Sequence, residues 1–354
     1  MSSQFGQMFQ ISTFGESHGA GLGVIIDGMP AGIDLSIDAI QEDLDRRRPG
    51  TSKWVSQRKE TDQAQILSGV ANGKTLGSPI ALMVFNQDAR SKDYSSIAHL
   101  FRPGHADYTY YKKYGLKLQP GGGRSSGRET LARVAAGGVA KALLQSLNVK
   151  IQAYTLAMGH ICAEMIDPDF AQTHPMRCAD PNKADDMLEL VDQVRQEGNS
   201  IGGIVQVVAK NVPPGWGEPV FHKLDAMLAM GLISIGAVKG IEFGAGFHAA
   251  KMKGSEHNDS ITPKGFASNH AGGILGGISN GDNIVMQLAI KPTPSISISQ
   301  ETIDNDNHPE VITIKGRHDP CICSRICPVA EAMTAIVLAD AFLLNQRQRY
   351  GENR

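Results

Sequence analysis

The strongest constraint in this chain is a helix that has almost no side chains along part of one face. Ser126-Gly127-Arg128-Glu129 has the S-x-x-E form of a capping box. The helix it opens carries Leu131, Val134, Ala135, Val139, Ala142 and Leu143 on one side. Ala135-Ala136-Gly137-Gly138 then leave it thin, so another element must pack closely against it. Glycine as a whole is in excess, 39 of 354 residues, with no collagen period. The glycines are therefore expected in turns, close backbone approaches and anion-binding loops.

The other elements alternate without a regular strand–helix–strand period. Val24-Ile25-Ile26 reads as a short buried strand, closed by Asp27-Gly28-Met29-Pro30. Ser36 can cap a helix through Ile37, Ile40 and Leu44 that stops at Pro49-Gly50. Asp180-Pro181 opens a helix through Leu188, Val191 and Val194, stopped by Gly198, and 204–208 reads as a strand. A last helix is expected to start near Pro328, with Glu331 in its first turn, and to end with Arg347 and Arg349 before Gly351. This mixture favours an α+β fold over a doubly wound parallel sheet. The length allows one large domain or two, and no Pro/Ser-rich linker divides the chain.

The net charge of −2 hides segregation. Residues 46–59 hold six bases and no acid, and 102–133 hold seven bases against Asp107 and Glu129. Residues 164–197 reverse this, with nine acids against three bases, and read as a solvated face. Clustered like charges repel unless an anion neutralises them, so the basic blocks imply an anionic ligand. Nucleic acid is a rival occupant, weighed against by the slightly acidic chain and few aromatics. With no apolar run of 18 residues, no membrane helix is expected. The N-terminus lacks a secretory pattern, and an odd cysteine count argues for reduced thiols in a cytoplasmic protein.

Five blocks could carry chemistry. Gly15-Glu16-Ser17-His18-Gly19 is a loop offering an exposed histidine, or a turn with a hydrogen-bonded one. Phe101-Arg102-Pro103-Gly104-His105-Ala106-Asp107 sets a guanidinium and an imidazole on either side of a rigid turn. That pair suits an anionic substrate needing a proton, or is a plain surface turn. Gly121 to Arg128 leads glycines and two arginines into a helix N-terminus, an anion site without the Walker spacing. Asn269 to Ser279 brings bare backbone close to something bulky, a cofactor ring or a tight bend. Lys291-Pro292-Thr293-Pro294-Ser295 follows as a stiff phosphate clamp. Arg317-His318-Asp319-Pro320 places three functional groups in a row, and Cys321, Cys323 and Cys327 beyond it fit no standard zinc spacing. No metal site is expected.

Together these blocks closely resemble the chorismate synthase family. Gly15–Gly19 running into Asp27–Pro30, Gly121–Gly138, and Arg317–Pro320 running to Glu331-Ala332-Met333 look like its three signatures. Asp45–Gly50, Phe101–Asp107 and Asn269–Gly273 also match, in order, from about residue 5 to residue 345. The resemblance implies a 1,4-elimination of phosphate and a ring hydrogen from 5-enolpyruvylshikimate 3-phosphate, giving chorismate. Reduced FMN is required although nothing is oxidised overall. It is held to lend electron density and to accept the hydrogen at N5.

By position, the resemblance gives His105 the balancing of the reduced flavin, His18 phosphate departure and Asp319 proton handling, with Ser17 and Ser126 in support. Substrate would be held by Arg47, Arg102, Arg128 and Arg317. FMN would contact Arg124, Ser125, Ser126, Gly236, Ala237, Gly276, Lys291, Pro292, Thr293, Pro294, Ser295 and Arg317. Arg47 and Lys53 lie at positions credited with nicotinamide phosphate contacts. Gly127 stands where Ala is usual, Gly236 where Asn is common, and Lys53 where Arg is frequent. The family further implies one domain over 1–354, a β/α/β sandwich of antiparallel sheets around a helical core with an internal pseudo-repeat, and a homotetramer. An external flavin reductase would be the partner. A redox flavoprotein using NADPH directly is the rival enzyme, NADPH being its reductant.

Overall fold

The computed structural model describes residues 3–50, 54–55, 60–87, 99–116, 120–314 and 318–347. Its frame is two five-stranded antiparallel sheets. The first runs in spatial order Gln4–Phe5, Gln10–Gly15, Gly21–Asp27, Ile80–Phe85, Ala64–Ser68. The second runs Val238–Phe243, Ile284–Ile290, Gly203–Lys210, Lys150–Met158, Ile161–Cys162. Register follows the period of two. Ile11 pairs Ile26 and Ile26 pairs Ile80, all buried, whereas Ile25 on the opposite face is 44% exposed. The strand expected at 24–26 is thus longer and half-exposed, because it belongs to a sheet covered on one side.

The helices are α1 (Ile37–Arg47), α2 (Asp107–Tyr114), α3 (Thr130–Gln145), α4 (Pro168–Thr173), α5 (Ala184–Gln196), α6 (Leu224–Ile233), the single turn α7 (Gly254–His257) and α8 (Cys323–Asn345). α3 packs on the first sheet and on α8, and α8 packs on the second sheet. α1 lies against both helices. The thin stretch of α3 is where they meet. A Cβ on Gly137 would lie 2.5 Å from Cα of Ala332 in α8, and one on Gly138 would lie 2.9 Å from Ile40 Cγ1 in α1.

Local expectations hold with adjustments. Ser36 caps α1, accepting from Asp38 N at 3.2 Å. Ser126 accepts from Arg128 N at 3.3 Å, but it opens a 3-10 turn, Gly127–Glu129, that precedes α3. The reciprocal half of the capping box is not made. The Glu129 carboxylate turns to Arg133, and Ser126 N donates to Gly123 O. α5 begins at Ala184, after Asp180 accepts from Asn182 N in a turn of its own.

α8 starts five residues before Pro328 and contains it. The bond lost there is the one to the Ser324 carbonyl, in the first turn, so little helix lies upstream to be kinked. Glu331 is consequently mid-helix and 2% exposed. Its carboxylate takes Arg46 of α1 at 2.8 Å from both Nη atoms, Lys141 of α3 at 2.9 Å and Ala153 N of the second sheet at 3.0 Å. Asp340, four per cent exposed, accepts from the backbone N–H of Gln7, Met8 and Phe9. α8 is long and apolar enough to span a bilayer, yet it is the central core helix, 89% buried in its apolar window. Arg349 lies outside the described residues.

Candidate active site

Six of the sequence blocks meet at one edge of the helical layer. The loop 15–19 is tied down from two sides. Arg124 donates to Gly15 O at 3.2 Å and to Thr13 Oγ1 at 2.7 Å, and Asn86 Nδ2 donates to the carbonyls of Glu16 and Gly19. Ser17, 1% exposed, donates its N–H to Gly123 O at 3.4 Å, and His18 follows it half-buried. The block 120–125 is thereby fixed beside the loop, and His105 adjoins it: a Cβ on Gly122 would lie 3.3 Å from His105 Cε1.

Asp107 orients the second block. It receives Arg102 Nε at 2.6 Å and Nη2 at 2.8 Å, and His105 Nδ1 lies 2.7 Å from its Oδ1. Nδ1 also lies 3.1 Å from Arg102 Nη2; assigning the ring proton to Nδ1, toward the closer carboxylate, leaves Nε2 as the group that can take one. Burial pushes the Asp107 carboxyl up, but hydrogen bonds from Arg102 and His105 outweigh it and hold it far below its usual range. His318 lies in the field of the same pair. Burial, then the Arg102 and His105 charges, lower its pKa against the opposing pull of Asp319. Its Nε2 is buried with no hydrogen-bond partner.

A chain of arginines and carboxylates closes the far side. Asp62, at φ 47°, receives Arg128 Nη1 at 2.7 Å and a short ion pair from Arg47. Arg128 also donates to Asn86 Oδ1 at 2.6 Å, linking this chain to the first loop. Arg47 is 1% exposed, and burial, then the neighbouring Arg325 and Arg128, press its pKa down to about 10, leaving it charged at neutral pH. Arg325 donates to the Arg47 carbonyl at 3.1 Å and to Asp319 at 2.7 Å. Thr293 Oγ1 donates to the Asp319 carbonyl at 2.7 Å, and Lys291 Nζ donates to Gly104 O at 2.9 Å, which brings the 291–295 clamp to both histidine blocks. Lys291 N donates to Ala237 O, so Gly236-Ala237 joins the cluster from the end of α6.

Such a set of arginines, with His105, His318 and the carboxylates of Asp62, Asp107 and Asp319, can bind a small polyanion and move protons beside it. The comparisons with known proteins decide which. The sequence profile of the family described as chorismate synthase matches residues 9–343. The chain belongs to the chorismate synthase family. Chorismate synthases of two Nitratidesulfovibrio vulgaris strains, DP4 and Hildenborough, are each 54% identical over 342 residues, covering 97% of both chains. A crystal structure of a chorismate synthase superposes with a TM-score of 0.78 at 33% identity, covering 96% of this chain and 93% of its own. The activity is that of a chorismate synthase, a carbon–oxygen lyase of aromatic amino acid biosynthesis.

Not every residue expected at the chorismate synthase site joins the cluster. Gly276 sits in the turn between Ile274–Leu275 and Ile278–Ser279, and its neighbour Gly277 packs on Lys223 before α6. α6 has ten residues, about 15 Å of helix, which sets Gly276 and Gly236 at opposite ends of it. Lys53 and Arg317 lie outside the described residues. Ser125 hydrogen-bonds Gly122 O within its own turn. In the basic run 46–48, Arg46 pairs with Glu331 and Asp43, Arg47 with Asp62 and Arg48 with Asp45. Cys321, Cys323 and Cys327 are free buried thiols, with burial pushing Cys327 up to about 12. Sequence reasoning missed Asp62, Asn86 and Arg325 as site members, and it placed His318 in a candidate block without giving it a role. Only the spacing of Arg325 from Asp319, across the start of a helix, could have marked one of the three.

Proposed function

We propose that this cluster is where 5-enolpyruvylshikimate 3-phosphate loses phosphate and a ring hydrogen, with reduced FMN as cofactor. The observation carrying the reading is the convergence of His105, His318 and Asp319 with Arg47, Arg102 and Arg128 on one edge of the fold. A substrate with two carboxylates and a phosphate needs that density of cations. His18 assists the departing phosphate, His105 balances charge through its Nε2, and Asp319 handles the proton taken from the ring.

The residues present fit a flavin phosphate. Lys291 and Lys239 lie close enough for Lys239 to lower the Lys291 pKa, behind burial, and neither makes an ion pair among the described residues. Two unneutralised ammoniums suit a phosphate. Cβ positions on Gly127 and Gly236 would meet nothing within 4 Å, leaving open backbone for a large ligand. Arg124–Ser126, Gly236-Ala237 and 291–295 would hold FMN, which would supply the electron density and hydrogen acceptor that these side chains lack. Arg317 joins these contacts and the substrate set, and Lys53 the nicotinamide phosphate contacts with Arg47. The same reading includes one domain over 1–354, a β/α/β sandwich with a pseudo-repeat, a cytoplasmic homotetramer and an external flavin reductase. Anaerobic incubation with reduced FMN and substrate should release phosphate and form chorismate; no release would refute the assignment.

A further inference from the structure

Beside the catalytic cluster, and adjoining it at two points of the chain, lies a cavity of about 550 Å³. Its wall includes Asp38, Glu42 and Arg46 of α1, His174 and Arg177 after α4, and Ser324 of α8. Arg46 and Ser324 immediately precede Arg47 and Arg325 of the catalytic cluster.

The charges on the wall are unequally served. Arg46 is taken up by Glu331 and Asp43. Arg177 makes no ion pair among the described residues: its Nη1 donates only to the carbonyl and the side-chain oxygen of Gln172, at 2.6 and 3.1 Å. Its pKa is lowered by burial and then by the neighbouring charge of Arg46, against smaller opposing pulls from Cys327, Glu331 and Asp43. Arg177 also holds φ at 56°, a conformation that costs a non-glycine residue about 1–2 kcal/mol. His174 is 9% exposed. Its Nδ1 accepts from Cys178 N at 3.2 Å, which puts the ring proton on Nε2, and that buried donor has no partner. Asp38 and Glu42 of α1, which also line the cavity, are exposed carboxylates one helical turn apart with no ion pair among the described residues, whereas the third lining carboxylate, Asp45, pairs with Arg48.

A simple anion would be drawn to Arg177 and repelled by Asp38 and Glu42, and a simple amine the reverse. A small molecule carrying both charges satisfies both sets. We infer that this cavity is an accessory site for a free α-amino acid. Its carboxylate sits on Arg177 and the His174 donor, and its ammonium faces Glu42 and Asp38. The inference does not rest on the proposed reaction, and its test needs neither substrate nor flavin.

The test is thermal unfolding of the full chain with each common L-α-amino acid at millimolar concentration, followed by calorimetric titration of those that act. At least one amino acid should raise the midpoint, while its amide and its 2-hydroxy-acid analogue should not. Arg177→Asn, whose side chain tolerates the left-handed backbone, should weaken that binding at least about tenfold, as loss of a charge-assisted contact does. Glu42→Gln, on an exposed position that folding does not need, should weaken it as well. The inference is overturned if no amino acid shifts the midpoint, if the hydroxy-acid binds equally well, or if binding survives both substitutions.

Discussion

Arg325 Nη1 donates to Asp319 Oδ2 at 2.7 Å, and the same side chain donates through Nε to the carbonyl of Arg47 at 3.1 Å. One guanidinium therefore sets the distance between the loop carboxylate and the arginine chain that ends at Asp62. Arg325→Gln should lower kcat about a hundredfold through misplacement of Asp319, with a smaller change in KM. Combined with Asp319→Asn, the losses should fall well short of adding, because both remove one unit. Steady-state kinetics of the two single variants and the double variant decide it; additive losses would separate the residues.

His105 is held by Asp107 so that its Nε2 is the free nitrogen. His105→Ala should cost at least about 100-fold in turnover, the low end for a positioned acid–base group. Asp107→Asn should also lower turnover, since the amide can donate to Nδ1 and reverse the ring tautomer. Turnover near normal in both would remove His105 from the chemistry.

Much of this was legible before any coordinates. The glycines at 137 and 138 announced a close helix contact, and Ser36 announced a cap. What was not legible lies between distant segments. Asp62 and Asn86 look like ordinary polar loop residues, and nothing local says they bridge Arg47, Arg128 and the loop 15–19. Glu331 looked like a first-turn carboxylate because Pro328 suggested a helix start. Tertiary packing carried the helix five residues further back and made Glu331 a buried anchor.

The contact at Gly137 has no slack. A Cβ there would stand 2.5 Å from backbone Cα of Ala332, and Gly138 is nearly as close to Ile40. Gly137→Val should lower the unfolding midpoint and cost at least about 1–3 kcal/mol, since two helices must part along their seam. Denaturant titration measures it. A stability equal to the parent would mean that α3 and α8 can separate freely there.

Glu331 supplies the pH dependence. Burial alone would raise its pKa, but Lys141 and Arg46 outweigh it and lower it to about 2 from 4.5. The folded state therefore binds this proton less readily than the unfolded chain. Its contribution to stability is fully present above about pH 4.5 and is lost as the pH falls toward about 2. Glu331→Gln strands Arg46 and Lys141 on Asp43 alone, at 2.9 and 2.7 Å, and leaves excess positive charge between three helices and a sheet. The expected loss at neutral pH is about 3 kcal/mol, the lower end for a buried pair deprived of one partner, because Asp43 remains. Unfolding free energies of parent and variant should converge as the pH is lowered through this window. Parallel curves from neutrality to pH 3 would show that Glu331 is not the group that senses acid.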